Sequence, residues 1–233
     1  VGHFGLPIDL TERREQEHRI RLQIYEAITE LAEKRDNETG LHLKRIARTS
    51  QLVARALELP AAFVADIATF APLHDIGKVG ISDAVLLAPR KLTVEEFEVM
   101  KSHSEIGWEI LRGCPTLEMA AEIVRHHHER WDGTGYPLGL AGGEIPLAAR
   151  IVSVADVYDA LRSRRPYKEP WPHEKAVATI TAGSGTQFDP TVVEAFLDVA
   201  EQCEEVSERL QDTVPEPEAS PAEANERSYR SAV

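Results

Sequence analysis

Nine histidines are spread over 233 residues, and most stand beside a carboxylate or another histidine. His74 and Asp75 are adjacent in Leu73-His74-Asp75-Ile76-Gly77-Lys78, and His126, His127 and His128 are consecutive and followed by Glu129. His103 stands in a helical stretch, and Glu38 and His42 are four apart, on one face of a helix. Asp156 falls in an apolar helical segment, where an unpaired carboxylate is costly and must be compensated. Neutral imidazoles and ionised carboxylates, with no thiolate, suit iron, manganese, nickel or zinc. Neighbouring side chains point about 100° apart on a helix, so His-Asp and His-His pairs are expected to reach different ions instead of sharing one. Paired donors at two places therefore predict two or more metals. Two ions roughly 3.5–4 Å apart hold a bridging hydroxide and clamp a phosphate for in-line attack. The plainer reading, a histidine that serves only the core or the surface, suits His3, His18 and His173. It does not suit His127-His128, His74-Asp75 and a buried Asp156 together, because one core cannot satisfy so many polar groups. His126 is read as facing outward.

The elements that must position these groups are helices. Thr93 with Glu96 forms a capping box that opens a helix through Leu111. Pro115 and Thr116 open another that runs to the histidine cluster. Pro146 starts Leu147 to Leu161, apolar on nearly every face and therefore a buried central helix. Asp189 and Pro190 supply an N-cap and a first-turn proline for a last helix to about Leu210. With no alternating segment of useful length, the fold class is all-α. Trp131 to Gly143 holds five glycines and a proline, so it is a structured loop. Near the N-terminus, Ile20, Ile24, Ala27 and Leu31 form one apolar stripe, suited either to a short coiled-coil seam or to a helix lying on its own domain. Three parts are expected: 1–35, an unstructured start and linker helix; 36–212, the working domain; 213–233, a disordered acidic tail rich in Pro, Glu, Ala and Ser.

Composition narrows the partners. With 39 acids against 26 bases, the formal charge of −13 argues against binding a nucleic-acid polymer. No stretch approaches the roughly 18 apolar residues of a membrane span. No secretory signal pattern is present, and Cys114 and Cys203 make no disulfide framework, so a cytoplasmic location is expected.

The stretches Arg35-Asp36-Asn37-Glu38-Thr39-Gly40-Leu41-His42, His74-Asp75-Ile76-Gly77-Lys78 and His127-His128-Glu129-Arg130-Trp131-Asp132-Gly133-Thr134-Gly135-Tyr136-Pro137 resemble the HD-GYP family. The likeness continues through Ala149-Arg150-Ile151 to Asp156, Arg165-Pro166-Tyr167 and Gly185-Thr186-Gln187-Phe188-Asp189-Pro190, in one collinear order over roughly residues 20 to 200. That family is the branch of the HD phosphohydrolases that hydrolyses cyclic di-GMP. The resemblance implies an HD-type helical bundle in which Asp75 bridges two metals and His74, His103, His127, His128 and Asp156 complete the pair. Glu38 and His42 match ligands of a third position. Lys78, Arg165 and Lys168 match residues that hold substrate phosphate. Iron or manganese is the implied metal, with linear pGpG as the product and GMP as the alternative end point where a second cut follows. The resemblance also implies protein partners at the glycine-rich loop and an upstream sensor or receiver domain missing from a cut-down chain, while the N-terminal apolar stripe offers a seam for a homodimer. One departure is Arg164, where the family commonly has an acid. Two rivals stand beside this reading: a signalling module that binds nucleotide or partner without catalysis, and a hydrolase of another cyclic dinucleotide.

Overall fold

Buried positions at 42, 46, 49, 50 and 53 give α1 (Gly40–Ala56) one face directed into the molecule, with Ile46 and Val53 fully enclosed. The structure, a computed structural model, describes residues 40–163 and 169–211, together with 16, 23, 25, 27–29 and 35. Helix α2 (Ala61–Phe70) packs back on α1 and leads into a 3₁₀ turn at Ala71–Leu73, where Pro72 needs no backbone donor. His74 and Asp75 follow, and a second 3₁₀ turn, Ile76–Gly80, carries Lys78. A short helix α3 (Asp83–Leu86) comes next. Arg35 reaches this stretch, donating to the carbonyls of Val79 and Ile81 and to Asp83.

The capping box forms as expected: Thr93 Oγ1 accepts from Glu96 N, and Thr93 N donates to the Glu96 carboxylate at 2.9 Å. The helix it opens does not run unbroken to Leu111. It divides into α4 (Val94–Lys101) and α5 (His103–Leu111), because Ser102 Oγ and His103 Nδ1 donate to the carbonyls of Val99 and Met100 at 2.6 and 2.7 Å. Side chains that compete for backbone acceptors in this way loosen a helix. A 3₁₀ turn at Pro115–Leu117 enters α6 (Glu118–His126), which ends at the histidine cluster.

Helix α7 (Leu147–Arg162) is buried along most of its circumference, from Ala148 and Ala149 through Ile151–Ala155 to Tyr158 and Asp159. It packs on α1, α6 and α8 (His173–Ala182). Its alanines let those neighbours approach closely, and Ile151, Val152 and Tyr158 join Ile46, Ile67, Ile123 and Phe196 in the main core. A smaller core of Leu73, Ile76, Leu111, Leu117 and Val124 lies beneath the His74–Lys78 stretch. The last helix is also two: α9 (Pro190–Asp198), capped by Asp189 on Thr191 N at 2.8 Å, and α10 (Ala200–Arg209), parted at Val199 by a non-helical φ of −119°. Among the described residues there are isolated bridges and no β-strand, so the fold is all-α as the periodicity predicts. Most of the N-terminal stripe, the limits at 36 and 212, and the acidic tail lie outside the described residues.

Candidate metal centre

Two groups of donors lie side by side. Asp75, His103, His127 and His128 form one, and His42, His74 and Asp156 form the other; one donor atom from each member lies within 4.8 Å of the rest of its group. They come from α1, the turn after α2, the start of α5, the end of α6 and the middle of α7, segments far apart in the chain. Glu38, Arg165 and Lys168 lie outside the described residues.

Asp75 stands between the groups. Its Oδ1 is 3.2 Å from His103 Nε2 and 3.5 Å from His127 Nε2, while Oδ2 is 3.3 Å from His74 Nε2 and 2.9 Å from Lys78 Nζ. His74 Nε2 is also 3.9 Å from Asp156 Oδ1. The opposite ring nitrogens are already committed. His74 Nδ1 meets Ala71 O at 3.0 Å, His103 Nδ1 meets Met100 O at 2.7 Å, His127 Nδ1 meets Ile123 O at 3.1 Å, and His42 Nδ1 meets Asp159 at 2.7 Å. Each contact fixes the proton on Nδ1 and leaves an Nε2 lone pair turned inward, the arrangement that metal-ligating histidines use. Asp75 Oδ1 and His127 Nε2 are buried and close, yet they meet no hydrogen-bond geometry with each other or with another group. Buried polar atoms are seldom left so, and a cation among them satisfies all of them. The residues present thus fit divalent metals bound through nitrogen and oxygen.

His74 and Asp75 divide between the two groups, as neighbours were expected to do. His127 and His128 do not: both belong to the Asp75 group, with ring centroids 3.9 Å apart. Helix α6 ends at His126, and His127 follows as its cap, still αR with its N–H on the Ile123 carbonyl at 3.0 Å, so the helical angle alone does not keep the two rings in separate groups. His126 does not face outward either. It is 9% exposed, with Nδ1 3.9 Å from the Glu129 carboxylate, and it joins neither group.

Burial by itself would raise the Asp75 carboxyl, but Lys78, His74, His103 and His127 outweigh it and hold Asp75 well below the ordinary carboxylate range. Burial lowers His127 and, more strongly, His128, both kept neutral as ligation requires. Burial, and then Arg125, brings His126 down to about 4. These histidines are neutral when folded and take up protons near 6.5 when unfolded, so their stabilising contribution is complete above that pH and is lost as pH falls toward 4. Melting of the metal-free protein should therefore drop steeply between pH 6.5 and 4, and His126→Gln should reduce the slope. Melting temperatures unchanged across that range would refute the assignment.

The glycine-rich loop closes one side. Tyr136 packs on His128 at 4.8 Å between ring centroids and edge-on to Phe97, and Lys101 Nζ lies 5.6 Å from both the Tyr136 and Phe97 rings. Burial and the carboxylates of Asp75 and Asp156 raise the Tyr136 phenol, so it keeps its proton at neutral pH. Gly135 lies against the main chain of His128, Glu129 and Arg130, leaving no room for a Cβ. Buried Glu129 accepts from Leu138 N at 2.7 Å and Leu140 N at 3.1 Å, tying the returning limb to the histidine cluster. On the outer side, Trp131 N and Asp132 N donate to the carbonyls of Gln187 and Thr186.

Sequence reading passed over Asp159 and Arg45. Both are buried, and Asp159 binds His42 as well as Arg45. The available signal was a second carboxylate three residues after Asp156 on an otherwise apolar helix.

Fold and donor groups together define an HD-type helical bundle built around paired histidines and aspartates. The chain belongs to the HD domain family, whose family model matches residues 26–192, and its glycine-rich loop sets it in the HD-GYP branch. It is similar to a cyclic di-GMP phosphodiesterase of Thermotoga maritima, 47% identical over 192 residues that cover 82% of this chain and 52% of the relative. It is also similar to a 3'3'-cGAMP-specific phosphodiesterase of Vibrio cholerae, 41% identical over 168 residues, covering 71% of this chain and 32% of the relative. A solved cyclic GMP-AMP specific phosphodiesterase from V. cholerae shares the fold, with a TM-score of 0.59 at 22% identity over 82% of this chain and 54% of that chain. The chain spans about half the length, or less, of the curated relatives it matches. No helix among the described residues is long and apolar enough to cross a membrane.

Proposed function

We propose that this chain is a metal-dependent phosphodiesterase that hydrolyses cyclic di-GMP to linear pGpG and then to GMP in bacterial second-messenger signalling. The observation that carries the reading is the Asp75 carboxylate, with one oxygen facing the His103–His127 donors and the other facing His74 and Lys78. His103, His127, His128 and Asp75 would hold one ion, and His42, His74 and Asp156, with the other Asp75 oxygen, a second. His42 is thereby read with the second ion and not, as the resemblance implies, with Glu38 at a third; Glu38 would supply a ligand of that third ion. Iron or manganese suits the donor set. When bound, such ions supply Lewis acidity and lower the pKa of coordinated water.

The chain's own residues do the rest. Lys78 places its ammonium beside Asp75, where it meets the charge that develops on a phosphate oxygen. Arg165 and Lys168 hold the phosphates against the overall acidity, since surface acids farther than a Debye length of about 8 Å are screened. Tyr136 keeps its proton at Oη and is a neutral donor at the mouth of the site. The outer face of the glycine-rich loop would meet protein partners, the N-terminal helix a second copy, and the setting would be the cytoplasm.

The test is product analysis by liquid chromatography, using protein purified without oxygen and loaded with manganese or iron. Cyclic di-GMP should convert to pGpG and then GMP, and no turnover by metal-replete protein would overturn the reading. The similarity to relatives named for 3'3'-cGAMP favours a second reading, in which the mixed dinucleotide is the better substrate. A higher kcat/KM for 3'3'-cGAMP in the same assay would establish it.

A further inference from the structure

Three of the inward-turned histidines, His74, His103 and His127, are held at Nδ1 by backbone carbonyls. His42 differs: its Nδ1 is 2.7 Å from Asp159 Oδ2, a carboxylate on α7 that is 4% exposed. That carboxylate is itself tightly held. Arg45, one helical turn after His42 on α1, donates from Nε to Oδ1 and from Nη2 to Oδ2, the latter at 3.1 Å. Ser163 Oγ donates to Oδ2 at 2.9 Å. Arg45 also reaches Ser163 Oγ at 2.9 Å and the Leu210 carbonyl at 2.7 Å. An anion behind an imidazole raises the basicity of its far nitrogen and fixes the ring's direction, whereas a backbone carbonyl fixes direction with less gain in basicity.

We infer that Asp159 is a positioning residue that acts through His42 to set the affinity of the His42–His74–Asp156 metal position, leaving the Asp75–His103–His127–His128 position largely unaffected. The inference rests on the two-metal reading above and assigns Asp159 no contact with substrate. Helix α7 therefore supplies the second position twice: directly by Asp156, and three residues later by the group that sets His42.

The experiment uses the full chain with manganese as the probe, and it reads elemental stoichiometry, titration isotherms and the electron paramagnetic resonance of neighbouring ions. Asp159→Asn should lower the weaker site's affinity by about 10–100-fold and replace the coupled signal with that of an isolated ion, the first site being retained. His42→Ala should do the same, and the double variant should bind manganese no worse than His42→Ala, because Asp159 acts only through that ring. Arg45→Gln removes the other partner of the carboxylate and guards against plain loss of folding. It should lower the melting temperature while keeping both ions, and Asp159→Glu should recover part of the affinity. Full coupled occupancy in Asp159→Asn, or equal metal loss in Arg45→Gln, overturns the proposal. Wild-type protein that binds fewer than two ions overturns the two-metal reading itself, and this inference falls with it.

Discussion

Asp75→Asn should abolish turnover, lowering it by about 10³-fold or more, and should deplete metal from both donor groups at once. The argument is one of atoms. An amide keeps the shape of the carboxylate but offers one oxygen and an NH₂. Whichever way it turns, it directs hydrogens either at the lone pairs of His103 and His127 or at His74 and the Lys78 ammonium, the groups that now lie 2.9–3.5 Å from the two oxygens. A ligand that bordered one group alone would produce a partial loss, so simultaneous loss is the distinguishing result. Elemental analysis reads it directly. Thermal melting gives a second readout, because the stabilisation that manganese confers on the wild type should vanish in the variant. Two ions retained per chain would show that Asp75 does not join the groups.

Gly77→Ala should be nearly as damaging, although glycine has no chemistry of its own. The 3₁₀ turn that carries Lys78 crosses α5 so closely that a Cβ at position 77 would overlap the carbonyl oxygen of His103 and stand 2.6 Å from Gly107 N. These are backbone atoms and cannot move aside singly. The added methyl must push α5 away, and His103, the first residue of α5, moves with it away from Asp75. Overpacking of this kind costs about 3 kcal/mol, which corresponds to a fall in melting temperature of about 6–12 °C for a chain of this size. Metal affinity should fall with it. The measurements are a melt of the metal-free variant and a manganese titration, and wild-type values in both would show that the crossing is looser than described.

The all-α class, the Thr93 and Asp189 caps and the buried α7 were legible in local chemistry. Among the grouped donors, His74-Asp75, His127-His128 and Asp156 stood out as residue types costly to place in one core, whereas His103 and the ligand role of His42 came from the family resemblance. The allocation of donors between the groups was not legible. His127 and His128 share a group although His127 is still αR, because which ion a ring can reach depends on where Asp75 and His103 stand opposite it. The breaks at Ser102 and Val199 escaped too, since a single side chain bonding to a carbonyl, or one non-helical φ, leaves the hydrophobic pattern unchanged. His126 and Asp159 illustrate the other limit. Whether a polar side chain points into the core or out of it depends on what stands opposite; Glu129 lies only three residues from His126, but Arg45 can be paired with Asp159 only in three dimensions.

The fastening of the glycine-rich loop has an evolutionary corollary. Its outer limb is pinned to Thr186 and Gln187 through main-chain atoms alone, so identity along that rim is decoupled from its anchorage. Substitution at Trp131, Thr186 or Gln187 leaves those main-chain bonds in place, whereas Glu129 and Asp132 brace the loop through their carboxylates. A frame secured in this way lets its border be rewritten while the donor groups it adjoins keep their places.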